Sequence, residues 1–218
     1  MGDELKRQLV RATISAIDAI RKLSPNAGFL QAEPAIEVFT ISKNPRIIAA
    51  AKNYRKSQFQ AFEMLSGKLE PELGGGEKYL DTIGINFYSQ NQWLHPGGKR
   101  ILLGNKNLRP FNEILSEYYE RYKRPMIIAE TGIEDELRPV WFRYVFEQTE
   151  IAKKSGVPVH GICLYPIFNH PGWDNKRRCY NGLWDYPNER GEREIYQPLA
   201  DEIKNLTVKN KYAKHGGS

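Results

Sequence analysis

The stretch Arg124-Pro125-Met126-Ile127-Ile128-Ala129-Glu130-Thr131-Gly132 decides how this chain is read. Its apolar run from Pro125 to Ala129 breaks off at a carboxylate, and a glycine follows two residues later. A short continuous apolar run between turn residues reads as a strand buried on both faces, as in parallel sheets. One helix further on, Val157-Pro158-Val159-His160-Gly161-Ile162-Cys163-Leu164-Tyr165-Pro166 is a second such run. It ends in an aromatic, and Asn169, His170, Trp173 and Asp174 come after it. A carboxylate at one strand tip beside a polar-aromatic cluster at the next makes a sugar pocket: aromatic faces cover C–H surfaces, and amides and carboxylates bond hydroxyls. For Glu130 the competing role is that of a loop or helix cap; for the tryptophans it is core packing.

Outward from this pair the alternation recurs. The spacing of Leu5, Leu9, Thr13, Ile17, Ile20 and Leu23 predicts a helix over about 3–23. Gly28 to Pro34 reads as a short strand with an acidic tip at Glu33. Asn44-Pro45 opens a helix with proline in its first turn, its apolar residues running from Ile47 to Leu65. The second half of Tyr79 to Tyr88 is the next strand, and Phe111 to Tyr122 the next helix. A helix from about Pro139 to Ser155 separates the two strands first described, and another, from about Ile195 to Leu206, comes last. This order means parallel strands with crossover helices, an α/β architecture of (β/α) units. Four strands fall short of a closed barrel, which needs eight and typically about 250 residues. A doubly wound sheet could use four, but no strand here opens a helix through a Gly-rich turn. Residues 1–207 are expected to form one domain and 208–218 a flexible basic tail.

At 218 residues, with 40% hydrophobic and 27% charged residues, the chain has the composition of an ordinary globular domain. No apolar stretch is long enough to span a membrane. The net charge of +6 is scattered along helices and sits on no recognisable nucleic-acid motif, so no nucleic-acid partner is expected. Cys163, in a strand expected to be buried, and Cys179, in a polar loop, suggest neither a disulfide nor a zinc site. A cytoplasmic setting is the default, with no metal and no cofactor expected.

Four stretches together resemble the C-terminal half of a family 1-like glycoside hydrolase, of the clan that uses two Glu residues on a (β/α)8 barrel. Leu80-Asp81-Thr82-Ile83-Gly84-Ile85-Asn86-Phe87-Tyr88 is similar to the family's sixth strand, and Ile127 to Gly132 to the seventh. Gly161 to Tyr165 resembles the eighth, and Gly182-Leu183-Trp184-Asp185 the segment after it. The resemblance covers about residues 3–206 and implies strands five to eight of a TIM-type barrel, with a sugar or glycoside as substrate. It implies that Glu130 is the nucleophile, hydrogen-bonded and oriented by Tyr88, and that Asn86, Gln92, Trp93, Tyr165 and Trp173 line the sugar subsite; Asn169 and Asp174 join them from the cluster above.

The chain departs from the family in Thr131, where the family has Asn, and in Tyr165, where it has Trp. The family's acid/base, an Asn-Glu pair at the tip of strand four, has no counterpart. Asn112-Glu113 falls in a helix start and Asn188-Glu189 in a polar loop. Glu33 is the remaining acidic residue that could enter the site, as a substitute acid. The expectation is therefore a retaining glycosidase half that carries the nucleophile and is inactive without its N-terminal complement. The alternatives are a non-catalytic carbohydrate-binding or structural half-barrel that assembles with a partner or as a homodimer, and an unrelated α/β binding domain.

Overall fold

The computed structural model describes residues 2–215. Helix α1 (Gly2–Leu23) leads to strands β1 (Leu30–Pro34) and β2 (Glu37–Phe39), then to helices α2 (Pro45–Lys56) and α3 (Gln60–Leu65). Strands β3 (Thr82–Asn86), β4 (Gln92–Leu94) and β5 (Lys99–Arg100) precede α4 (Phe111–Tyr122). Next come β6 (Met126–Thr131), α5 (Arg138–Lys154) and β7 (Val159–Leu164). Two short strands, β8 (His170–Pro171) and β9 (Arg178–Cys179), precede the last helix, α6 (Gln197–His215).

The four long strands form one parallel sheet in the order β1-β3-β6-β7, with helices as crossovers. This is the expected (β/α) architecture, open at β1 and at β7. One face of the sheet is covered. Ile83, Ile85, Met126, Ile128 and Val159 pack on Phe59, Phe62, Leu115 and Tyr118 from the helices and on Trp141 and Val145 from α5. The other face, which a closed barrel would fill, is left partly open: Leu30 is 44% exposed, and His160 and Cys163 are also exposed. Cys163 is thus not buried as expected, because the opposing strands that would cover it are not in this sheet. At Gly84 a Cβ would lie 2.8 Å from the Ala32 Cβ, so glycine lets β1 and β3 approach on this face.

Four other details depart from the reading of the sequence. In α1 the buried face is Val10, Ile14 and Ile17, whereas Leu5, Leu9 and Ile20 of the expected stripe are exposed. The stripe faces the bare edge of β1, along clefts that Leu5, Leu9, Thr13 and Ile20 line with Leu30 and Gln31. The helix expected to run to Leu65 breaks at Ser57–Phe59. There Gln58 turns inward, accepts from the Ile36 amide (2.8 Å) and the Tyr118 hydroxyl (3.0 Å), and donates to the Arg55 carbonyl (2.7 Å). Three-residue strands β2 and β4 pair with β5 in a small second sheet, too short to give a legible period. Finally, α6 continues through His215, past its expected end at Leu206; residues 216–218 of the expected tail lie outside the described residues.

A charge network fastens the small sheet. Buried Glu37 accepts from Arg55 Nε (2.5 Å) and Arg109 Nη1 (2.8 Å), and Glu117 accepts from Arg109 (2.6 Å) and from Arg55. Burial raises the Glu117 carboxyl, but hydrogen bonds from Arg109 and Arg55 outweigh it and hold the group below the usual carboxylate range.

Candidate active site

A register shift aims the key carboxylate. Ile85 lies opposite Ile128, but Asn86 lies opposite Glu130, so β6 absorbs Ala129 as an extra residue. Side chains alternate along a strand, so one inserted residue turns the next side chains to the other face. Without the shift Glu130 would point at the helices with Ile128. With it, Glu130 shares the open face with Asn86. The tip of β3 is tied to it by the Phe87 amide, which donates to the Glu130 carbonyl at 2.9 Å.

Thr131 turns to the helix side. Its hydroxyl donates to the Phe87 carbonyl (2.7 Å) and accepts from the Trp141 indole (2.9 Å), joining β6, β3 and α5 behind the carboxylate. Gly132 is required by proximity, because a Cβ there would come within 2.1 Å of the Tyr165 carbonyl oxygen. The tips of β6 and β7 therefore touch, and the Tyr165 amide closes the contact by donating to the Thr131 carbonyl at 2.9 Å.

On the open face, the Tyr88 hydroxyl donates to Glu130 Oε2 at 2.8 Å. Burial, together with the carboxylate it serves, pushes the Tyr88 phenol well above its usual range, so it stays protonated and keeps donating. Both residues border a cavity of about 890 Å³. Tyr165, Trp173 and Asp174 are on its wall. Trp173 is 85% exposed, so core packing is not its role.

Other expected residues are placed elsewhere. Gln92 is 1% exposed, and its amide bonds the Arg109 backbone at both ends (2.8 and 2.9 Å), which consumes it in fastening β4. Trp93 packs edge-on against Tyr54 at 5.4 Å. Buried Asn169 donates to Asp185 (2.8 Å) and accepts from the Gly182 amide (2.7 Å), closing the loop after β7. Asn86 is beside Glu130 in the ladder but is not on the cavity wall. Glu33 lies opposite Ile85 and so shares its helix-facing side, where it lines a cleft with Leu5, Lys6, Leu9 and Ala61. It is not on the face of Glu130 and cannot serve as the substitute acid there. Burial raises its carboxyl pKa.

The cavity also takes in residues that the sequence did not point to, notably Gln90, Arg100, Asn181 and the Glu134–Arg177 pair (2.7 and 2.9 Å). Gln90 was within reach, two residues beyond Tyr88. Arg100 comes from the two-residue strand β5 and Asn181 from a loop, and no local pattern gives the course of either.

No protein-family model and no curated protein matches the sequence. Solved structures match it in fold. A β-glycosidase from the hyperthermophile Thermosphaera aggregans superposes with a TM-score of 0.73 at 18% identity, over 94% of this chain and 48% of that one. The chain is similar to about half of a β-glucosidase. A hyperthermophilic β-glucosidase from Pyrococcus furiosus gives 0.69 at 22% identity, over 95% and 47%. A family 1 β-glucosidase from Thermotoga maritima gives 0.69 at 15%, over 93% and 56%. The chain thus spans about half the length of the structures it matches. The sequence resemblance to this family is met by a glycoside-hydrolase-like fold. Among the described residues, no helix is long and apolar enough to cross a membrane.

Proposed function

We propose that this chain is the nucleophile-bearing half of a retaining β-glycosidase. The observation that carries the reading is Glu130, re-aimed by the register shift onto the open face, held at 2.8 Å by a protonated Tyr88, and set in a cavity with Tyr165 and Trp173. In such a reaction a carboxylate oxygen attacks the anomeric carbon and the aglycone leaves, giving a glycosyl ester. A second carboxyl about 5–5.5 Å away protonates the aglycone oxygen and then activates the water that cleaves the ester. Tyr88 would fix the angle of Glu130 and moderate its charge; Trp173 and Tyr165 would present ring faces to the sugar.

The acid/base belongs to a complementary half-barrel. The bare edges of β1 and β7, the open face between them and the exposed α1 stripe support that partner, as does the doubled length of the similar structures. A C2 pair of identical chains would seal the same edges, but it would bring together two equivalent Glu130 carboxylates without the asymmetry that an acid and a nucleophile require.

The test is Glu130→Gln in the assembled enzyme, with an activated aryl β-glucoside as substrate. A lost nucleophile lowers kcat by orders of magnitude. A variant that keeps more than about a tenth of the wild-type kcat ends the assignment.

A further inference from the structure

Among the described residues, four buried side-chain polar atoms lack a hydrogen-bond partner, and two of them belong to residues of the Glu130 cavity. These two are His170 Nε2 and Asn181 Oδ1; a third, Asn86 Oδ1, belongs to Glu130's ladder neighbour, off the cavity wall. A buried polar atom without a partner is unfavourable, so such a pair calls for a ligand or ordered water. The chemistry of the pair is one-sided. His170 Nδ1 lies 2.7 Å from the Pro171 carbonyl oxygen, which can only accept, so Nδ1 carries the proton, and in that tautomer Nε2 is a bare acceptor. The two Oδ1 atoms are acceptors as well. A group that satisfies both cavity atoms must donate at least two hydrogens, as a polyhydroxylated ring does.

His170 is also held for the purpose. Its ring lies between Tyr165 (centroids 6.2 Å apart) and Trp173 (6.0 Å, edge-on). Trp173 is the most exposed member of this trio, at 85% against 37% for Tyr165. We propose, resting on the sugar-site reading above, that His170 is a recognition residue: as Trp173 swings off its edge to stack on the sugar, Nε2 accepts a hydrogen bond from a ring hydroxyl. Asn181 Oδ1 takes a second.

The experiment uses the 218-residue chain with 15N-labelled histidines and methyl β-glucoside as the probe, and tryptophan fluorescence reports binding. The chain has four histidines, so a His170→Gln spectrum assigns the signal. The free protein is expected to show a protonated Nδ1 and a bare Nε2. On saturation the Nε2 resonance moves and the Nδ1 resonance stays. His170→Phe, which keeps a ring between Tyr165 and Trp173, should weaken the Kd about ten-fold, the size of one hydrogen bond. Sugar that binds while Nε2 stays still, or that binds the Phe variant equally well, overturns the role of His170 and leaves the sugar-site reading standing. A wild-type chain that binds no sugar overturns that reading, and this inference with it.

Discussion

At the scale of single residues, Glu130 owes its position to its neighbours. Ala129 supplies the extra residue that turns it, Thr131 anchors it from behind, and Gly132 leaves room for the Tyr165 carbonyl. Only the last can be tested without touching the carboxylate. Gly132→Ala puts a methyl carbon where an oxygen already lies within 2.1 Å, so the tips of β6 and β7 must part. Overpacking of this kind costs about 1–3 kcal/mol. In a chain of this size that lowers Tm by roughly 2–4 °C per kcal/mol. A calorimetric scan showing an unchanged Tm would mean that the two tips are not in contact. The glycine was legible in the sequence, and its reason was not, since that reason lies in a backbone more than thirty residues away.

At the scale of elements, the long strands and helices were legible because each carries an apolar run or a three-to-four spacing. Asn44 illustrates the agreement: its side chain accepts from the Arg46 amide at 2.9 Å and caps α2 just ahead of Pro45. Where the reading missed, an unseen neighbour decided. Period marked Leu5 and Leu9 as apolar but could not say which face of α1 finds a partner. A strand tip was foreseen at Glu33, but β1 turns its side chain toward α1 and α3. Gln92 and Trp93 were placed by resemblance alone, and the Arg109 backbone and Tyr54 claim them.

Glu33 gives a pH-dependent prediction. Its folded pKa is raised by burial, so its protonated form is the one the fold favours. That stabilisation is present below the unfolded value, about 4.3, and is lost as pH rises through the higher folded value. Glu33→Gln, a neutral mimic, should therefore raise stability at pH 7 and leave it unchanged near pH 4. The check is the difference in Tm between variant and wild type at pH 7 and at pH 4, positive at the first and absent at the second. A destabilised variant at pH 7 would show that the charge is used.

At the scale of the molecule, the sheet leaves two bare parallel edges and an open face, with the α1 stripe beside one edge. Unpaired strand edges and exposed apolar surface of this kind favour association. Sedimentation of the chain mixed with its complementary half should show a one-to-one complex, and the chain alone at micromolar concentration should self-pair. A compact monomer under both conditions would contradict this.

The central claim is that Glu130 is a nucleophile in a site this chain only half builds, and one time course with dinitrophenyl β-glucoside tests it. A dinitrophenolate leaves without protonation, so the first step needs no general acid, whereas cleavage of the glycosyl ester needs a general base, which the proposed function assigns to the complementary half. Mixing the 218-residue chain with this substrate should release one equivalent of dinitrophenolate and then stall, with mass spectrometry finding one glycosyl group on Glu130. No burst, a label on another residue, or continuing turnover near about 1 s⁻¹ would contradict the account.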